Sequence, residues 1–289
     1  MPTEYVKRVL AACVITVLSI SNTANGLAGD TKEYRIGLTS VIFADGTAFV
    51  NDWRTYLTHH LQAPVKFVQR QTYREVTDLL LAGDLDAAWL CGYLYLQHRD
   101  ELELLNVPLF KGKPLYHSYL IVPSSDTKTR KLTDLKKKVF AYSDPDSHSG
   151  YRYPQLSLIS AGIEPKHFFA KTFFTWSHRD VVNAVADGVA QGGAVDSYVW
   201  ETLAEKDPQL SRRTRVVSKS PEYGFPPLVT QRGLAQRRAD NLREALMHMS
   251  SDDMGSKVLQ ILNLDGFTVG NDDLYNNIAD SIRIVEQGG

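Results

Sequence analysis

The sequence predicts an α/β protein of two lobes, each a mainly parallel sheet flanked by helices. Three observations predict it. Short apolar runs alternate with helical stretches from about residue 34 onward, the rhythm of strand–helix–strand units. A polar and basic segment, SSDTKTRKLTDLKKK at 124–138, separates two such series. Finally, a helix, a glycine stop and a strand recur in both series: TDLLLAG leads into DLDAAWLC, and NAVADG leads into VAQGGAVD. Gly83 to Cys91 and Gly188 to Asp196 are both eight residues. If the two units correspond, rather than resemble each other by chance, Cys91 and Asp196 fall at matching strand ends. Ligands of open α/β sheets bind outside the carboxyl ends of strands, so two facing lobes bring both residues to one cleft.

The elements follow in order. EYRIGLTSV reads as a strand ending near Ser40, and Phe49 to His60 as a helix with Trp53, Tyr56, Leu57 and His60 at helical spacing. VKFVQR alternates as a second strand. Val76, Leu79 and Leu80 mark a helix that Gly83 closes, and DAAWL is a short buried strand. SYLIVP at 118–123 is a further strand, and a helix is expected to start at Thr133. The second series reads VFAYS (strand), a helix from about Gly150, KTFFT (strand), a helix from Ser177, GGAVDS (strand) and a helix. A strand at Thr214–Ser218 leads into SPEYGFPPLV, an extended crossing stiffened by proline. Leu242, Ala245, Leu246 and Met249 form one C-terminal helix face; Val258, Ile261 and Leu262 form another. The expected division is 34–122 plus 228–289 for one lobe and 123–227 for the other.

The 289 residues carry a formal net charge of −1. Neither a basic footprint for nucleic acid nor an acidic disordered tail is present, so function is expected in a local site. Lys7 and Arg8 precede the apolar run Val9–Ile20, and SNTANGLAGD follows. That order is a secretory signal peptide, expected over 1–28, and the run is too short to span a membrane. Leu10-Ala11-Ala12-Cys13 spells a lipoprotein box, but its apolar run lies on the wrong side of Cys13. Loss of 1–28 leaves a net charge of −2 and Cys91 as the lone cysteine, so an exported chain relies on its cores rather than a disulfide. No H-x-x-H, C-x-x-C or acidic loop occurs, and neither a metal nor another cofactor is expected.

The stretch SDPDSHSGYRY at 143–153 concentrates the chemistry. Asp144-Pro145 turns the chain after a strand, and Ser147 or Ser149 caps the helix that follows. Unpaired amides and the positive helix end make such a start an anion site without any lysine. A capped helix without ligand is the plain alternative. A serine hydrolase is a further reading, weakened because Ser147 stands where a nucleophile elbow needs glycine before Ser149. Ser177 caps a second helix, and His178 in its first turn is placed to donate to an oxyanion or to sit at the surface. Cys91 reads as a small buried hydrophobe or as a ligand.

These segments together resemble the phosphonate-binding (PhnD-like) family of periplasmic solute-binding proteins. YREVTDLLLAGDLDAAWLCG, YHSYLIVP, AYSDPDSHSGYRYP, FFTWSHRDVVNAVADG and AVDSYVWE carry the resemblance, in family order, over about Tyr34 to Phe267. It implies the type II-like binding-protein fold, two lobes joined by two crossover strands. It also implies a monomeric receptor that delivers a small oxyanion to an ABC transporter permease or, in some members, to a membrane sensor kinase. The family's S-T-S-G turn falls on Ser147-His148-Ser149-Gly150, its cleft histidine on His178, and its two lobe-one tyrosines on Tyr73 and Tyr116. Asp196 is then placed to accept from a protonated ligand oxygen. Three departures stand out. His148 replaces threonine; Tyr198 and Pro226 occupy places where amine-binding members carry acids; and Cys91 is similar to the cysteine of arsenite-binding members. The leading expectation is a phosphorus oxyanion (phosphate, phosphite or a simple phosphonate), with an arsenite or related oxyanion sensor using Cys91 as the alternative.

Overall fold

A computed structural model describes residues 32–39 and 47–287; the expected signal peptide at 1–28 lies outside them. The first sheet is entered by β1 (Tyr34–Leu38), α1 (Thr47–Leu61), β2 (Val65–Gln69), α2 (Tyr73–Leu81), β3 (Ala87–Trp89), α3 (Gly92–Gln97) and β4 (Leu102–Leu109). The chain then crosses through β5 (Leu115–Tyr116) into the second sheet: β6 (Ser118–Pro123), β7 (Val139–Tyr142), α4 (Tyr153–Ser160), β8 (Lys171–Phe174), α5 (His178–Ala186), β9 (Gly192–Asp196), α6 (Ser197–Lys206), α7 (Pro208–Ser211) and β10 (Thr214–Lys219). It returns through β11 (Tyr223–Gly224) to β12 (Leu228–Gln231), α8 (Gln236–Met247), α9 (Asp253–Leu262), β13 (Gly266–Val269) and α10 (Asn276–Gln287).

The first sheet has the order β13-β4-β12-β3-β1-β2 and the second β10-β6-β9-β7-β8. β1 pairs parallel with β2 and β3, and β7 with β8 and β9; the remaining partners join antiparallel. Following those directions, β4 runs with β1–β3, and β10 runs with β7–β9, so each sheet keeps a majority direction. The crossings meet as a two-stranded ribbon, β5 against β11. The result is the two-lobed α/β fold that the alternation predicts.

Four details differ from the sequence reading. β6 pairs with β9 and β10 in the second sheet, so a division after residue 122 cuts through a strand of that sheet; the lobes part within 110–117. The helix expected from Thr133 is a single 3₁₀ turn, Leu132–Leu135. The Asp134 carboxylate takes the amides of Arg130 and Lys131, and Lys137 then turns left-handed at φ 62, so no second turn forms. Ile261 is 39% exposed, and Leu259 takes its place in the core. Finally, β4 went unpredicted: LELLNVPL is buried along most of its length, and a strand covered on both faces shows no alternation to find.

Local signals place the strand ends. Gly83 and Gly188 both stop their helices at positive φ, +77 and +73, a conformation that costs glycine little. Thr72 and Glu75 form a reciprocal cap on α2, worth about 1 kcal/mol in such helices. A large core runs through both lobes and includes Trp53, Trp89, Tyr56 and Phe225. A smaller core, with Leu120, Phe140, Tyr142, Leu158 and Phe169, lies on the α4 face of the second sheet.

Candidate functional site

Tyr73, Cys91, Tyr116, Ser147, His148, Ser149, His178 and Asp196 gather between the lobes, each at 3% exposure or less. Each arrives on a defined element. Tyr73 opens α2, Cys91 precedes α3, and Tyr116 ends β5. Ser147 to Ser149 follow β7, His178 opens α5, and Asp196 ends β9. Cys91 and Asp196 each serve as the N-cap residue of the next helix, so the repeat seen in the sequence does bring matching strand ends to one cleft.

The turn after β7 is wider than an ordinary helix start. His148–Arg152 form a π-turn before α4 begins at Tyr153, and the Ser147 carbonyl accepts from the amides of both Tyr151 and Arg152. Single π-turns are concentrated at functional sites. The Ser118 hydroxyl pins this turn to β6 through the Ser149 carbonyl at 2.6 Å.

The wiring of Ser147 decides its chemistry. Its Oγ accepts from the Gly150 amide at 3.0 Å and lies 3.3 Å from His178 Nε2. The Asp196 amide donates to His178 Nδ1 at 3.1 Å. A backbone amide is always a donor, so Nδ1 holds the lone pair and Nε2 carries the proton. His178 therefore donates to Ser147, and both lone pairs of that hydroxyl are taken. What Ser147 has left is its own O–H, a donor fixed in direction. This pair is wired opposite to a nucleophile and its base, in which histidine must accept from serine. It also amends the expectation that His178 donates directly to an anion: here its proton serves Ser147.

His148 is held just as closely. Its amide donates to Cys91 Sγ at 3.2 Å. Its Nδ1 lies 3.2 Å from the Tyr116 hydroxyl, and its ring meets Tyr223 edge-on at 4.4 Å. Its Nε2 is buried with no partner among the described residues. Burial holds His148 and His178 down to about 3, both neutral, and pushes the Cys91 thiol up to about 12. Burial also raises Asp196 to about 8. Its carboxyl caps α6 by accepting from the Tyr198 amide at 2.8 Å. Near neutral pH Asp196 thus keeps its proton, and an anion beside it favours that form further. Asp196 stands at the site as a neutral cap on α6.

These shifts have a measurable consequence for stability. Asp196 is raised from its ordinary 3.8 to about 8, so its contribution is full below 3.8 and is lost as pH rises through 8. The two histidines act in the other direction: their contribution is present above about 6.5 and lost as pH falls toward 3. Between pH 6.5 and 8 only the Asp196 loss operates among these three. Wild type is expected to lose about 1.4 kcal/mol per pH unit near pH 6.5, falling to about half that slope at pH 8, relative to Asp196→Asn, which keeps the cap but not the proton. Urea unfolding at pH 6.5, 7.2 and 8 measures the difference, and parallel curves would refute it.

Several residues that the sequence reading passed over close the cleft. Asp144 accepts from the Tyr73 amide at 3.1 Å. Asp146 pairs with Arg74 of the first lobe at 2.8 Å and lies 3.6 Å from Arg152 of its own lobe. The Arg152 guanidinium also covers the Tyr93 ring at 4.5 Å. Within 143–153 the sequence assigns Asp144 only to the turn and gives Asp146 no role, because their partners lie about 70 positions away. Tyr198 and Pro226 bring no carboxylate; the Tyr198 hydroxyl donates to the Leu262 carbonyl, and the Pro226 carbonyl accepts from Trp89.

Residues 44–275 match the family model described as ABC transporter, phosphonate, periplasmic substrate-binding protein. The chain is 25% identical over 238 residues to the probable ABC transporter phosphite binding protein PhnD1 of Prochlorococcus marinus, covering 78% of this chain and 80% of that one. It is 27% identical over 168 residues to the phosphate-import protein PhnD of Mycolicibacterium smegmatis, covering 54% and 52%. A crystal structure of a binding protein component of an ABC phosphonate transporter from Pseudomonas aeruginosa superposes with a TM-score of 0.81 at 22% identity, over 90% of this chain and 88% of the other. Among the described residues, no helix is long and apolar enough to cross a membrane.

Proposed function

Because this chain belongs to the periplasmic substrate-binding proteins of phosphonate ABC transporters, we propose that its cleft binds a small phosphorus oxyanion, namely phosphate, phosphite or a simple phosphonate, and delivers it to the transporter's permease. The observation that carries the ligand class is Ser147. Its acceptor sites are filled by Gly150 and His178, so a buried O–H is left as a pure donor at a helix start. Ser149 stands beside it, and Tyr73 on α2 and Tyr116 on β5 bring two further hydroxyls. Fixed neutral donors in a dry cleft hold an oxyanion without a net positive charge. The phosphite and phosphate named for the two relatives fit that donor set.

The lobes close over the ligand through Arg74–Asp146, Arg152 on Tyr93, and the Tyr73 amide on Asp144. None of these groups needs to touch the anion, yet each is made only when the lobes meet. Export through the signal at 1–28 and action as a monomer belong to the same proposal.

Thermal melting with phosphate, phosphite, methylphosphonate, 2-aminoethylphosphonate and arsenite tests it. A ligand present at 100 times its Kd adds about 2.7 kcal/mol. One or more of the first three is expected to raise Tm, and 2-aminoethylphosphonate is expected to leave it unchanged, since Tyr198 and Pro226 offer an amine no carboxylate. A shift with arsenite alone, abolished by Cys91→Ser, would replace the proposal with the arsenite reading; Cys91 does lie in the cleft, as a thiol. No shift with any anion would remove the ligand assignment.

A further inference from the structure

His148 is the one cleft side chain with a fully buried ring nitrogen, Nε2, that no described residue satisfies. It sits between Ser147 and Ser149 on the π-turn. Its ring cannot swing freely: the amide is tied to Cys91, Nδ1 to the Tyr116 hydroxyl, and one edge to Tyr223. Tyr116 and His148 make a hydrogen-bonded chain, from the hydroxyl to Nε2, with a proton count that can be followed.

A neutral imidazole carries one N–H, and each hydroxyl carries one O–H. If Tyr116 donates to Nδ1, then Nε2 is a donor and the hydroxyl end of the chain is left to accept. If Nδ1 donates to Tyr116, the hydroxyl end donates and Nε2 is left to accept. Either way, the chain presents one donor and one acceptor at its two ends. A fully deprotonated oxyanion satisfies the donor only. An oxyanion that still bears a hydrogen satisfies both, and an unmatched buried polar atom is costly.

We propose that the Tyr116–His148 pair makes the cleft selective for the hydrogen-bearing monoanion of its ligand, with His148 as the specificity-determining residue. This rests on the oxyanion reading of the site. The other titratable groups around the pair are Cys91 before α3, Asp144 after β7, His178 on α5, Asp196 at the end of β9 and Tyr223 on β11. At pH 6 the Asp196 carboxyl and both buried histidines are neutral, so the comparison there is between ligands and not between charge states of these three groups.

The test is isothermal titration at pH 6 with phosphate, phosphite and sulfate, the last carrying no proton. Wild type is expected to bind the better hydrogen-bearing anion roughly 100-fold more tightly than sulfate. His148→Phe keeps the ring against Tyr223 but has neither donor nor acceptor; its ratio is expected to fall below about 10-fold. His148→Gln, whose amide restores one donor and one acceptor, is expected to keep most of the preference. Sulfate binding as tightly as the best phosphorus anion in wild type would overturn the proposal, as would an undiminished ratio in His148→Phe. Should the phenylalanine variant not fold, the wild-type ratio and the glutamine variant decide. No binding of any anion by folded wild type would instead overturn the oxyanion reading beneath it.

Discussion

Gly150→Ala is expected to weaken anion binding by more than about 100-fold and to lower stability by about 1–3 kcal/mol. Gly150 lies where the π-turn folds back onto the strand end and α5. A Cβ there meets Ser143 Oγ at 1.9 Å, Ser143 Cβ at 2.8 Å and His178 Cε1 at 2.9 Å. The hydroxyl can rotate away, but the Ser143 Cβ and the imidazole cannot. His178 is held by the Asp196 amide and by Ser147, so relief has to come from the turn itself. Moving the turn breaks the Gly150 amide bond to Ser147 Oγ and frees a lone pair that had fixed the serine proton. Donors must stand within a few tenths of an ångström of productive geometry to act together. Titration calorimetry and melting check both effects. Ser143→Gly in the same chain removes the two serine contacts and is expected to restore part of each. Wild-type affinity in the single variant would show that the turn tolerates a side chain.

His178→Phe is the second large effect. The ring volume is kept, so the loss reports hydrogen bonding. The Asp196 amide loses its acceptor inside a fully buried site, and Ser147 regains an empty lone pair that allows its proton to reorient. An unsatisfied buried donor costs about 1–3 kcal/mol. Affinity for the bound oxyanion is expected to fall roughly 30- to 300-fold, with a Tm loss of several degrees. His178→Gln, which keeps a donor toward Ser147, is expected to retain more affinity than the phenylalanine variant. If phenylalanine binds as wild type does, Ser147 is not oriented by His178, and the donor argument for the ligand class fails with it.

Much of this is legible in the sequence. The alternation of strands and helices shows in the sequence because each element carries its own period, and Gly83 and Gly188 mark their helix ends because positive φ favours glycine. Ser147 and Ser177 are readable as caps because capping is satisfied within three residues. The lobe division was less legible. SYLIVP is a plain strand in sequence, and nothing within it says which sheet it joins; pairing with β9 and β10 decides that.

The sequence by itself determined the local chemistry: which residues start helices, which end strands, and which small set carries hydroxyl, imidazole, thiol and carboxyl groups suited to an anion. Tertiary structure alone decided what those groups are. Asp196 became a neutral cap, because burial moved its proton affinity by more than any neighbour in sequence does. His178 became the orienting partner of Ser147, because an amide 18 residues away took its other nitrogen. His148 was left with one unmatched nitrogen, because residues 57 and 32 positions earlier claimed its amide and Nδ1. The physical reason is common to all three. Hydrogen-bond direction and proton affinity depend on the dielectric and on partners at contact distance, and in a cleft between two lobes those partners are remote along the chain.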